Sequence, residues 1–117
     1  MKRKILGLIE PVYIKGKDEE GKAKELKIKA KIDTGAYKSS ISKSLVKKLK
    51  LGPVKKTMII KSALGKERRK VIKVQVRIKN KKLKAFFSIA NRKHLTYDIL
   101  IGQNILKLGK FLIDPLK

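Results

Sequence analysis

Two stretches of strict alternation constrain the fold of this chain more than any other feature. In LKIKAKI (26–32), Lys27, Lys29 and Lys31 fall on one side of an extended backbone, and Leu26, Ile28, Ala30 and Ile32 on the other. The same period of two sets Ile72, Val74, Val76 and Ile78 against Lys73, Gln75 and Arg77. A helix would scatter both sets around its circumference, so each stretch predicts a strand with one buried face. Similar reasoning predicts strands near 4–14, 24–33, 57–62, 70–79, 82–90, 98–101 and 111–114. KGKDEEGK (15–22) reads as a polar hairpin loop and KNKK (79–82) as a tighter turn. Pro11 cannot donate to a ladder, so it predicts an edge position or a bulge.

Two segments depart from that period. In SISKSLVKKLKLGP, Ile41, Leu45, Val46 and Leu49 recur at helical spacing, with Ser42 placed to cap the start and Gly52-Pro53 to end the helix. A second short helix is expected after Gly102, from Gln103 to Leu108. Many short strands with two small helices point to a mainly β fold, a closed or half-closed barrel. At 117 residues, one domain over 1–117 is expected, and 42% hydrophobic residues suffice for a modest core. The apolar run of MKRKILGLIE is broken too soon, by Glu10 and Pro11, for a signal peptide or membrane span. A cytoplasmic protein without membrane association is therefore expected.

Lys and Arg number 33 against nine Asp and Glu, a net charge of +24. Such a charge points to an anionic partner, either nucleic acid, a ribosome or an acidic polypeptide. It also fits a chain in which every outward position tends to be lysine. The basic residues are spread along the whole sequence as the polar halves of strands, and only Tyr13, Tyr37 and Tyr97 offer aromatic surfaces outside apolar runs. That spacing favours solvated faces over a dedicated nucleic-acid footprint.

Against this background, Asp33-Thr34-Gly35 spends a scarce carboxylate at the end of a strand. As a strand-end turn, it needs Asp33 to cap its own backbone and Gly35 to supply a positive φ. Three elements then follow in order. Ala36 and Ser39-Ser40 lead into the first helix, a hairpin runs through IIKSALGKERRKVIKVQVRI with Leu64-Gly65 near its tip, and YDILIGQNIL (97–106) supplies an apolar strand ending in glycine.

This ordered set resembles the retropepsin-like aspartic proteases. The matching pieces are IDTGA (32–36), the hairpin around 61–69, ILIG (99–102) and FLIDP (111–115), and ISKSLVKKLKLG resembles the helix of retrotransposon-type members. Within that superfamily, KAKIDTGA (29–36), SALGKER (62–68) and FLIDP are similar to small prokaryotic proteins labelled ATP-dependent zinc proteases. The resemblance implies a single-lobe acid-protease barrel with a flap hairpin. It also implies association with ATP-grasp ligases that add glutamates to proteins, a context that would supply acidic polypeptides. Many retropepsins place Arg after the ILIG glycine, paired with an acid past Asp-Thr-Gly-Ala. Here those positions hold Gln103 and Tyr37-Lys38, so both halves of that ion pair are replaced.

The zinc label does not fit the inventory. A catalytic zinc site usually needs three His, Glu, Asp or Cys ligands, commonly two of them His. The chain has no Cys and a single His, His94, which reads as a loop residue. No phosphate-cradling Gly-x-x-x-x-Gly-Lys-Ser/Thr segment is present for ATP, so no cofactor and no metal are expected. The resemblance implies Asp33, Thr34 and Gly35 as the catalytic turn, and Ala36 with the flap residues Ser62, Ala63, Leu64 and Gly65 as substrate-binding. Asp98 and Asp114 lack the Thr-Gly turn, so a dyad requires a second copy and a two-fold homodimer. The competing expectation is a non-catalytic module of the same fold that holds acidic tails, ribosome or nucleic acid.

Overall fold

A computed structural model of the chain describes residues 3–63, 65–91 and 96–117. Among the described residues, nine strands and two helices follow one another as β1 (Ile5–Leu6), β2 (Ile9–Lys17), β3 (Ala23–Ile32), β4 (Ser39–Ser42), α1 (Lys43–Lys48), β5 (Val54–Ser62), β6 (Gly65–Ile78), β7 (Lys81–Ala90), β8 (Ile99–Ile101), α2 (Gln103–Leu108) and β9 (Leu112–Ile113). Seven strands form one sheet in the order β2-β3-β8-β4-β7-β6-β5. Tyr13 and Ile14 of β2 also pair with Arg77 and Val76 of β6, which closes the sheet into a barrel. The remaining two, β1 and β9, run parallel as a separate ribbon, with Ile5 opposite Leu112.

The predicted faces are the observed ones. Ala30 and Ile32 of β3, and Ile72, Val74, Val76 and Ile78 of β6, are buried in one core with Val12, Ile14, Ile41, Phe87, Ile99, Ile101 and Ile105. Leu26 and Ile28 pack against that core from the more open end of β3, and Lys27, Lys29 and Lys31 are exposed. Pro11 sits where β2 has β3 on one side and lies short of the β6 pairing, so its missing N–H interrupts no ladder. Helix α2 has the expected bounds, and Ser42 caps α1 by accepting from the Leu45 N–H at 3.2 Å. No helix among the described residues is long and apolar enough to cross a membrane.

Three local expectations are corrected. The strand expected over 4–14 breaks at Gly7 and Leu8, because the buried Glu10 carboxylate turns inward and accepts from the Gly7 N–H at 2.7 Å. Residues 39–42 form strand β4, parallel to β7 and antiparallel to β8, rather than a lead into the helix. Gly35 is not among the glycines at positive φ, which are Gly21, Gly52 and Gly65. The Asp33 turn therefore does not depend on a left-handed glycine.

Candidate active site

Strand β3 ends at Ile32, opposite Ile101, and so delivers Asp33 to the end of β8. The Asp33 N–H donates to the Ile101 carbonyl at 2.9 Å, which extends the parallel β3–β8 pairing by one bond. The half-buried Asp33 carboxylate then accepts from the Gly35 N–H at 3.0 Å, and the Ala36 N–H returns to the Asp33 carbonyl at 3.3 Å. A Cβ on Gly35 would meet only the Asp33 carboxylate oxygen, at 3.3 Å. Glycine here leaves the carboxylate uncrowded and the outer side of the turn bare.

The turn is clamped from behind by the segment that follows β8. Gln103 donates its backbone N–H to the Ala36 carbonyl and its side-chain amide to the Thr34 carbonyl, both at 2.8 Å. The Asn104 N–H donates to the Tyr37 carbonyl at 3.2 Å. Gly102 passes so close that a Cβ would lie 2.5 Å from the Lys38 carbonyl oxygen and 2.9 Å from that of Ala36. Its N–H donates to the Ser39 hydroxyl at 2.9 Å, and that hydroxyl donates to the Asn104 side-chain oxygen at 2.7 Å. Asn104 in turn donates its amide to the Phe86 carbonyl at 3.0 Å. Gln103, at the place of the familiar arginine, thus holds the turn with neutral hydrogen bonds rather than an ion pair. Thr34 is exposed, and its side chain borders a cavity of about 520 Å³ shared with Arg3, Leu106, Phe111 and Ile113.

Strands β5 and β6 form the long hairpin, with Ser62 paired to Gly65 across its tip and Gly65 at φ 121°. Between its arms and the Asp33 turn lies a cleft of about 560 Å³. Gly35, Ala36, Tyr37 and Lys38 form one wall, and Met58, Ile59, Ile60, Lys61 and Arg69 the other. The Arg69 Nε is buried without a hydrogen-bond partner among the described residues, while Nη2 pairs with Glu67 at 3.0 Å. Of the expected substrate-binding residues, Ala36 lines this cleft. Ala63 and Gly65 are exposed at the tip, and Leu64 lies outside the described residues, as does His94. The arm residues Met58 to Ile60 and Arg69 were missed from sequence. Their signal was the hairpin itself, whose arms are the part that overlies the turn.

Of the other two carboxylates considered, Asp114 accepts from the Leu116 N–H at 2.9 Å and caps its own turn. Asp98 uses its carbonyl to accept from Ser42 at 2.8 Å, at the far end of β8 from the Asp33 turn.

A family model described as "gag-polyprotein putative aspartyl protease" matches residues 20–108. Comparison with curated proteins gives no match. Among solved structures, the chain is similar to a Legionella pneumophila protein of unknown function, at 18% identity and a TM-score of 0.64, over 99% of this chain and 96% of that one. It is similar to the simian foamy virus protease at 18% identity and a TM-score of 0.59, over 85% of this chain and 91% of that one. The EIAV protease, solved with the inhibitor HBY-793, aligns at 20% identity and a TM-score of 0.63, over 91% of this chain and 86% of that one.

Proposed function

Because the chain belongs to the gag-polyprotein aspartyl protease family, we propose that it is an aspartic endopeptidase, assembled from two copies with one Asp33 each. The observation that carries this reading is the Asp33 turn, clamped by Gln103 and Asn104 and open towards a cleft under a long hairpin. A second copy is supported by the bare outer side of that turn. It is also supported by the exposed Leu8, whose carbonyl accepts from the Ile32 N–H at 2.9 Å directly before Asp33. Ile5, Ile9 and Leu112 add exposed apolar surface on the same end strands.

In the dimer, the two Asp33 carboxylates share one proton across a bound water; closely placed like charges cannot both ionise. The ionised carboxylate takes a proton from the water as its oxygen attacks the scissile carbonyl carbon. The other carboxyl gives its proton to the carbonyl oxygen. As the gem-diol intermediate collapses, the C–N bond breaks, the dyad gives its proton to the leaving amine, and one gem-diol hydroxyl proton returns to the dyad, which is again singly protonated. Thr34 holds the two turns together, and the β5–β6 hairpin closes over an extended substrate, adding backbone hydrogen bonds and excluding water.

An acidic polypeptide is the proposed substrate. Lys38, Lys61 and Arg69 border the cleft, and these cationic side chains suit a substrate carboxylate. The net charge of +24 supports the same choice, and it supports the second reading, a non-catalytic holder of polyanions. Cleavage of an acidic peptide library by wild type and Asp33→Asn separates the two. Asn keeps the size of Asp and its turn-capping oxygen but cannot act as base, so a loss of about 10²–10⁴-fold is expected with unchanged thermal unfolding. Equal turnover by both proteins would leave only the binding reading.

A further inference from the structure

Dispersed along the sequence, the cationic side chains are partly gathered by closure of the barrel. Tyr13 is paired with Lys27 on one side and Arg77 on the other, and Arg77 is paired with Lys82. Lys27, Tyr13, Arg77 and Lys82 therefore form one transverse row across β3, β2, β6 and β7. With neighbouring strands about 4.8 Å apart, the row spans about 14 Å. The pair Gln75–Lys84 lies two residues along, and Lys73–Phe86 two further, on the same outward face.

This face carries flat surfaces as well as charge. The Arg77 guanidinium stacks 3.8 Å from the centre of the Tyr13 ring. Phe86 is 41% exposed, with the Lys56 and Lys73 ammonium groups 4.7 and 5.5 Å from its ring centre. One acid, Glu25, faces the row. Its carboxyl is held below the usual range by the hydrogen bond from Arg77 at 2.7 Å, and by the charges of Arg77, Lys82 and Lys15. None of the row residues lines the Asp33 cleft.

We propose that this outer face of the β3–β2–β6–β7 sheet binds single-stranded nucleic acid, at a site separate from the Asp33 cleft. Cations alone would draw any polyanion. The exposed Phe86 ring and the guanidinium plane on Tyr13 give unpaired bases a stacking surface, which carboxylate side chains do not use. A duplex hides its bases from a shallow sheet face, whereas a single strand lays them on it.

The test is fluorescence anisotropy with a labelled 12-nucleotide oligothymidine, a duplex of the same length and a 12-residue polyglutamate. Lys27→Gln/Lys82→Gln is compared with Lys47→Gln/Lys48→Gln, a pair on the exposed face of α1 that removes the same charge. The row pair is expected to weaken oligothymidine binding about tenfold, and the α1 pair by no more than about twofold. Phe86→Ala is expected to weaken oligothymidine about tenfold and leave polyglutamate unchanged. Asp33→Asn is expected to bind like wild type, which keeps the result independent of any peptidase activity. Equal weakening by the two lysine pairs would reduce the effect to net charge and overturn the proposal. So would tighter binding of polyglutamate or of the duplex than of the single strand. Thermal unfolding of each variant guards against loss of fold.

Discussion

A methyl group added at Gly102 would press on the Lys38 carbonyl oxygen, and backbone rather than a flexible side chain would have to give. Gly102→Ala is therefore expected to cost about 1–3 kcal/mol, as overpacking does elsewhere, and to displace the turn it supports. Thermal unfolding measures the first effect and peptide cleavage the second; an unchanged melting temperature would show that the crossing has slack. Gln103→Ala removes the amide bond to the Thr34 carbonyl and leaves the backbone bond to Ala36 in place. It is expected to lower cleavage by loosening the turn, while stability changes by about 1 kcal/mol, the net worth of one hydrogen bond. At this scale the sequence was legible where chemistry is local. Asp33 as the turn carboxylate and Ser42 as the helix cap follow from residue type and neighbours. The geometry of Gly35 did not, because a positive φ is one of two uses of glycine in a turn. Room beside a carboxylate is the other, and it depends on where the Asp33 side chain points.

Strand faces and α2 were readable because period and capping residues act within a few positions. Strand β4 was not. Ser39 and Ser40 are polar yet buried, and Ser39 is tolerated there because its hydroxyl serves Gly102 and Asn104, more than sixty residues away, while its carbonyl accepts from Ser88 at 3.4 Å. A buried polar strand whose partners lie that far along the chain leaves no periodic trace. The hairpin shows the same limit. Its existence was legible, but the wall it offers to the cleft depends on how its arms lie over the turn. Arg69 supplies a guanidinium to that wall, and the proposed function gives it a substrate carboxylate to meet. Arg69→Gln is expected to raise KM for glutamate-containing peptides several-fold more than for glutamine analogues, with kcat little changed. Equal effects on both peptides would rule out a carboxylate contact. Glu25 gives a further test on the opposite face. Its folded pKa is lowered by Arg77, so the stability it adds is full above the ordinary carboxylate range and is lost as pH falls through the lowered value. The difference in melting temperature between wild type and Glu25→Gln is expected to be present at neutral pH, small for so exposed a pair, and to vanish in acid. A difference that stays constant with pH would show that the pair contributes no proton-linked stability.

For the molecule as a whole, charge opposes the assembly that the proposed chemistry requires. Two copies at +24 each repel, and the repulsion reaches about 10 Å at 0.1 M salt and only about 3 Å at 1 M. Dimer formation is expected to strengthen with salt, while any nucleic acid on the outer face is released. Sedimentation at low and high salt reads the first effect directly; a monomer at every salt and concentration that still cleaves peptide would refute the two-copy site. The clamp on the Asp33 turn also orders events in time. Its anchors, Gly102, Gln103 and Asn104, follow Asp33 by 69 to 71 residues along the chain. A ribosome releases the carboxylate and its strand long before the segment that holds them in place. Until that segment emerges the turn lacks the hydrogen bonds that hold it, so under the proposed reading a growing chain can acquire its cutting geometry only after residue 104 has left the ribosome.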